Sequence, residues 1–268
     1  MARSIRAPRG IGPWSAAVDR VARSWPRSND RCVETDTPSP LHALVLAGGQ
    51  GVRLGTLSKA DLHPGGRRLL DRVLDALTPF VSGTTVVVAP ESVVVPRGVR
   101  RTMESPAGGG PLAGIGAGLA VIAGQRALRP WNADKTSDDR VVVCSVDTPG
   151  VAVLVPRLLD ALARAQDDTG TTSPTPGPAP DGAVILGGSP EPFRQYLQGV
   201  YRLDALAALL GGEPTLHGRG VARVISRLRL VEVDATAEEC RDIDTVDDVA
   251  WWDRRLRTAV PQASPSCE

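Results

Sequence analysis

The sequence predicts an α/β protein: a three-layer α/β/α sandwich around a mostly parallel sheet. Two observations carry this. From residue 41 onward short β-branched runs alternate with longer stretches of helical periodicity, and strands separated by helices of that length pair in parallel with both faces covered. The chain of 268 residues, 42% of them hydrophobic, is also long enough to bury a core of this size.

Taken in order, LHALVLA (41–47) reads as the first strand. RRLLDRVLDAL places Leu69, Leu70, Val73, Leu74 and Leu77 on one helical face. TTVVVA reads as a second strand, VRRTM as a third, and GPLAGIGAGLAVIAG as a helix of small residues able to pack closely. RVVVCSVD is a buried strand, and VAVLVPRLLDALARA is helical at least after Pro156, since proline suits a first turn better than an interior. After QDDTGTTSPTPGPAPD (166–181), read as a flexible surface loop, follow AVILGG, RQYLQGVYR, the helical LDALAALL and a last strand, LRLVEVDA. In DIDTVDDVAWWDRRLRTAV, Thr245 can cap a helix whose first turn holds Asp247 and Asp248.

The domain is expected over 41–260. Residues 1–40, with seven arginines against four acids, read as a disordered extension, and 261–268 as a tail. The extension has no 7–15-residue apolar core of a secretory signal, and no stretch reaches the roughly 20 apolar residues of a membrane span. A cytoplasmic setting is the default expectation. A net charge of +1 calls for neither nucleic acid nor a membrane surface as partner, so any anion binding is local. Cys32, Cys144, Cys240 and Cys267 form no CxxC pair, and His42, His63 and His217 have no ligand spacing. Cys144, inside VVVCSVD, reads as a buried thiol.

Ligands of open α/β sheets bind beyond the carboxyl ends of the strands, and four clusters lie there. In LAGGQGVRLGTLSK (46–59), Gly48, Gly49 and Gly51 can bring backbone N–H groups close to a phosphate, with Arg53 and Lys59 to neutralise it. The loop lacks the GK[ST] of a P-loop, and its GxGxxxG spacing misses the dinucleotide fingerprint. Standing alone, it reads better as a glycine turn with solvated Arg and Lys. Lysine is nevertheless a rare choice here, with two in the chain against 29 arginines.

In MESPAGGGPLAGIGAGL, Glu104 closes a strand and glycines lead into a helix N-terminus. Alone, this reads as close packing. Asp147 follows VVVCSV directly, where such sheets hold Mg²⁺ against a phosphate, although a strand-ending Asp also caps turns. Asp242 and Asp244 of DIDT share one face of an extended chain. Helix capping accounts for Thr245 and Asp247 and leaves those two acids without a purpose.

In this order the clusters resemble the molybdenum cofactor guanylyltransferase family, a branch of the nucleotidyltransferases with a GT-A-like α/β/α fold. LAGGQGVRLGTLSK, Gly66 with LLDRVL, GGPLAGIGAGL, VDTP, RQYLQGVYR with Gln195, and DIDTVDD match its blocks over about residues 41–258. The resemblance implies a GTP site lined by Leu46, Ala47, Gly48 and Gly49, with Lys59 on the phosphates and Glu104 near the nucleotide. It implies Mg²⁺ on Asp147, with Asp244 completing the metal site. GMP would pass from GTP to a phosphorylated small-molecule acceptor, molybdopterin, releasing pyrophosphate, and transient contact with molybdoenzymes would follow. A CTP-using relative, a phospholactate-type acceptor, or a nucleotide-binding homologue without turnover are the alternatives. Ser58 stands where the family commonly has Asp before the lysine, Asp61 where an apolar residue is usual, and VVVAPE lacks an Asn often found after that strand.

Overall fold

The structure is a computed structural model that describes residues 39–49, 54, 58–127, 138–171 and 178–258. The extension before residue 39, Gly51, Arg53, residues 172–177 of the expected loop and the tail lie outside the described residues.

Among the described residues seven strands form one sheet in the order β3-β2-β1-β4-β6-β5-β7. They are β1 (Leu41–Leu46), β2 (Thr85–Val88), β3 (Arg100–Thr102), β4 (Arg140–Ser145), β5 (Gly182–Gly187), β6 (Phe193–Arg202) and β7 (Leu230–Asp234). Six run in one direction, and β6 alone runs antiparallel, between β4 and β5. The expected alternation is therefore present, with one reversal. Because β6 runs backwards, its first residues lie at the same edge of the sheet as the carboxyl ends of β4 and β5.

Among the described residues six α-helices cover the two faces: α1 (Leu69–Leu77), α2 (Pro111–Ala127), α3 (Val151–Thr171), α4 (Leu203–Gly211), α5 (Val221–Ile225) and α6 (Val246–Thr258). Alternation along β1 divides the core, since successive side chains of a strand point to opposite faces. Ala43, Val45 and Ala47 join Leu70, Val73, Leu158 and Trp252 on the α1, α3 and α6 side. Leu44, with Val86 and Val88, meets Ile115, Ile122 and Leu206 on the α2 and α4 side. The five apolar residues expected on the face of α1 are all buried.

Three differences have local causes. Helix α3 begins at Val151, so Pro156 lies inside it. The cost is one backbone hydrogen bond to the preceding turn, and burial of Val151, Leu154 and Val155 before the proline and of Leu158 and Leu162 after it offsets it. The same helix continues to Thr171, through the first residues of the stretch read as a loop. Helix α5 is too short to show a periodicity, and packing of Val224 and Ile225 in the α2-side core holds it.

Candidate active site

The chain runs outward from β1 to β2 and β3, and then places β4 on the other side of β1. A sheet opens a crevice at such a reversal. Three polar side chains meet there. Lys59 Nζ donates to Asp147 Oδ2 at 2.8 Å and also to Asp244 Oδ1. Its side chain is only 12% exposed.

Each member is fixed by its own element. Lys59 opens a 3₁₀ turn (Lys59–Asp61) capped by Ser58, whose Oγ accepts from the Ala60 N–H. This gives buried Ser58 a structural use at the position where the family commonly has Asp. Asp61 is exposed and accepts from Arg68 Nε at 2.8 Å, which suits an acid in place of an apolar residue. Asp147 follows β4, and its carbonyl accepts from the Ile243 N–H at 3.0 Å, tying DIDT to the end of that strand.

Asp244 is held from α6. Asp248 Oδ2 accepts from the N–H groups of Asp244 and Thr245 at 3.2 and 2.9 Å, while Thr245 Oγ1 accepts from the Asp248 N–H. This is the reciprocal capping pattern at a helix start, with Thr245 at the cap as expected.

The electrostatics follow from this geometry. Burial alone would lower the Lys59 pKa, but hydrogen bonds and attraction from Asp147 and Asp244 outweigh it and hold the ammonium above its ordinary 10.5. Desolvation, and then the neighbouring Asp244 and Asp147, push the Asp242 carboxyl upward. Two carboxylates thus converge on one position that takes a positive charge. Oxygen ligands of this kind suit a hard cation, and Mg²⁺ is typically held by one or two carboxylates together with substrate phosphates. No cluster of three or more His, Cys, Asp or Glu residues able to hold a metal occurs among the described residues. The donor set therefore fits Mg²⁺ bound with a phosphate, and does not form an all-protein cage.

On the β1 side, Gly48 and Gly49 are exposed. Among the described residues a Cβ on either would meet nothing closer than 3.9 Å, so packing against them does not call for glycine at these two positions. Gly116 and Gly118 of α2 have the opposite cause, because a Cβ there would collide with Leu216 and Leu44. Glu104 follows β3 and accepts from the Gly108 N–H at 3.2 Å, where Gly108 and Gly110 have φ of 84° and 87°. Leu46 thus closes β1, Ala47, Gly48 and Gly49 follow it, and Glu104 follows β3, two strands away in the sheet.

On the other side, between β4, β5 and β6, lies a cavity of about 530 Å³ lined by Asp147 and Asp242, with Phe193, Gln195, Gln198 and Arg241 among its walls. Sequence reasoning missed Phe193, Gln198 and Arg241. The signal that finds them is the reversal of β6, and nothing in the local sequence announces it.

Cys144 is buried, and burial pushes its thiol up to about 12. No helix among the described residues is long and apolar enough to cross a membrane.

The family model described as MobA-like NTP transferase domain matches residues 43–241. No curated protein matches the chain. Among solved structures, molybdopterin-guanine dinucleotide biosynthesis protein A from Archaeoglobus fulgidus superposes with a TM-score of 0.51 at 19% identity, covering 81% of this chain and 99% of that one. The 2-C-methyl-D-erythritol 4-phosphate cytidylyltransferase from Thermus thermophilus gives 0.52 at 19%, with the same coverage. The 4-diphosphocytidyl-2C-methyl-D-erythritol synthase from Anaerococcus prevotii gives 0.54 at 13%, covering 82% and 99%. At these identities the likeness is one of fold.

Proposed function

We propose that this chain, which belongs to the family of MobA-like NTP transferase domains, transfers GMP from GTP to a phosphorylated acceptor of the molybdopterin type in the cytoplasm. The observation that supports it best is the meeting of Lys59 with Asp147 and Asp244 at the sheet's reversal, beside Gly48 and Gly49. An acceptor phosphate oxygen attacks the α-phosphorus of GTP, and the bond to the β-phosphate oxygen breaks to release pyrophosphate.

Asp147 and Asp244 would hold Mg²⁺, which would supply charge neutralisation to the phosphates. The chain's own part is positioning and charge. The Gly48–Gly49 backbone approaches the phosphates, Leu46 and Ala47 line the nucleotide, Glu104 faces it, and Gly51 extends the cradle. Lys59, held between Asp147 and Asp244, brings its ammonium to the phosphates. Arg53 joins it on the leaving pyrophosphate. The cavity on the β4–β6 side takes the organic part of the acceptor.

The CTP-using structural neighbours keep a second reading open, with the same chemistry on another base. Incubating the purified protein with each NTP, Mg²⁺ and molybdopterin, and measuring pyrophosphate, separates them. Release with GTP is expected. Nucleotide binding without release from any NTP would sink the enzyme reading.

A further inference from the structure

The cavity beside Asp147 holds a side chain that the reaction above leaves without work. Gln198 lines it, opposite Cys144 in the β4–β6 ladder, and is 4% exposed. Its Nε2 donates to the Cys240 carbonyl at 3.5 Å. Its Oε1 is closed off from water and has no partner among the described residues. Interchanging the two ends would not help, because the oxygen would then face the Cys240 carbonyl. Native interiors seldom leave a buried amide oxygen unpaired, since its desolvation goes uncompensated.

Two more features of the same cavity bear on what would pair with it. Phe193, on its wall, is an apolar ring left 54% exposed. Arg241 is the one basic residue of the cavity's described lining. Its guanidinium is held by Asp248 at 2.7 and 3.0 Å and lies over the Trp251 ring at 4.9 Å. The carboxylates of Asp147, Glu238 and Asp242 line the same space. A negative group inside this cavity meets acids and an arginine already engaged. A neutral group bearing hydroxyl or ring N–H donors meets an amide oxygen without a partner and an aromatic face.

We infer that Gln198 is a specificity-determining residue for the acceptor: it accepts a hydrogen bond from a hydroxyl or ring N–H of a phosphomonoester whose organic part is neutral. Phe193 covers the flat or apolar portion of that part. Bringing Oε1 to the ligand takes a turn of the glutamine side chain that gives up the long 3.5 Å bond to the Cys240 carbonyl, and the ligand's donor replaces it. The acceptor's phosphate points toward Asp147, away from the amide. An acceptor carrying a carboxylate beside its phosphate is selected against by Glu238 and Asp242, the acids of the lining that hold no metal in this reading. This inference rests on the nucleotidyl-transfer reading for the placement of the phosphate, and its binding test does not require turnover.

The experiment compares the full chain with Gln198→Leu, and with Gln198→Met should the branched side chain disturb folding. Calorimetry in the presence of Mg²⁺ and nucleotide measures binding of three probes: molybdopterin for ring N–H donors, 2-C-methyl-D-erythritol 4-phosphate for hydroxyl donors, and 2-phospholactate for a carboxylate. One donor-bearing probe is expected to bind the wild type and to lose at least tenfold in the variant, with nucleotide affinity unchanged. Which of the two binds identifies the source of the donor. Without ligand, the variant is expected to melt higher than the wild type, since it removes an unpaired buried oxygen, and a purely structural glutamine would give the opposite shift. Phe193→Ala should weaken the same probe. Equal probe affinity in variant and wild type, tightest binding by 2-phospholactate, or binding of none of the three would overturn the inference. If a probe binds through Gln198 while no NTP releases pyrophosphate, the transfer reading fails and this one stands.

Discussion

Lys59 contacts two acids that lie 88 and 185 residues further along the chain. In a protein with 29 arginines and two lysines, the compact ammonium is a meaningful choice. A guanidinium is a planar fork that spreads its charge over five donors, and it does not reproduce a point charge between two carboxylates. Lys59→Ala and Asp147→Asn are each expected to lower kcat by about 10²–10³, the usual loss when one key electrostatic group is removed. Lys59→Arg should recover little of the loss. Steady-state pyrophosphate release measures all three, and unchanged rates for both Lys59→Ala and Asp147→Asn would refute the roles assigned here. The lysine and the strand-ending acid were legible one by one, from rarity and from position. Their contact was not, because no spacing in the sequence encodes which residues a tertiary fold brings together.

The acid end of this contact depends on helix α6. Asp248 gathers the N–H groups of Asp244 and Thr245, the Thr245 hydroxyl and the Arg241 guanidinium. Thr245 as a cap could be read from TVDD, whereas the reach of Asp248 back to Asp244 required the folded turn. Asp248→Ala removes the cap interaction, which costs about 0.5–2 kcal/mol, and it releases the Asp244 backbone from its anchor. We expect a lower Tm and, separately, a rate that saturates only at higher Mg²⁺, measured by titrating the metal at fixed nucleotide. A normal Mg²⁺ dependence in a destabilised variant would confine Asp248 to capping.

The far edge of the sheet offers a pH test at the same scale. Asp181, just before β5, accepts from the Arg229 N–H and side chain at 2.8–3.0 Å, joining the starts of β5 and β7. Hydrogen bonds from the Arg229 guanidinium outweigh burial and hold the Asp181 carboxyl below its ordinary 3.8. An acid whose folded pKa is depressed stabilises the fold above its unfolded pKa, and that contribution is lost as pH falls through the folded value. Asp181→Asn should therefore melt lower than wild type at pH 7, and the gap should close on acidification below about pH 3.8. A gap independent of pH would mean that charge is not what joins the two strands.

For the molecule as a whole, the layered α/β plan followed from alternating strand and helix patterns, and the expected element order holds from β1 to α6. The antiparallel β6 did not follow, because FRQYLQGVYR carries no mark of direction: a strand's apolar pattern reads the same either way. Yet that reversal joins the two halves of the site, bringing Phe193 and Gln198 to the edge where Asp147 and Lys59 stand. Since the site spans both halves of the sheet, its ligand should stabilise the entire fold. A ligand at 100 times its Kd adds about 2.7 kcal/mol, and about 2–4 °C of Tm accompanies each kcal/mol for a domain near this size, giving a rise of about 5–10 °C. Two carboxylates, with no third protein ligand beside them among the described residues, would hold Mg²⁺ weakly alone, so the metal by itself should shift Tm little. GTP with Mg²⁺ should give the full rise, CTP a smaller one, and EDTA should reverse both. Thermal melts with each nucleotide, with and without metal, read this directly. A full shift with Mg²⁺ alone would indicate a closed metal cage, and no shift with any nucleotide would remove the basis of the nucleotide site.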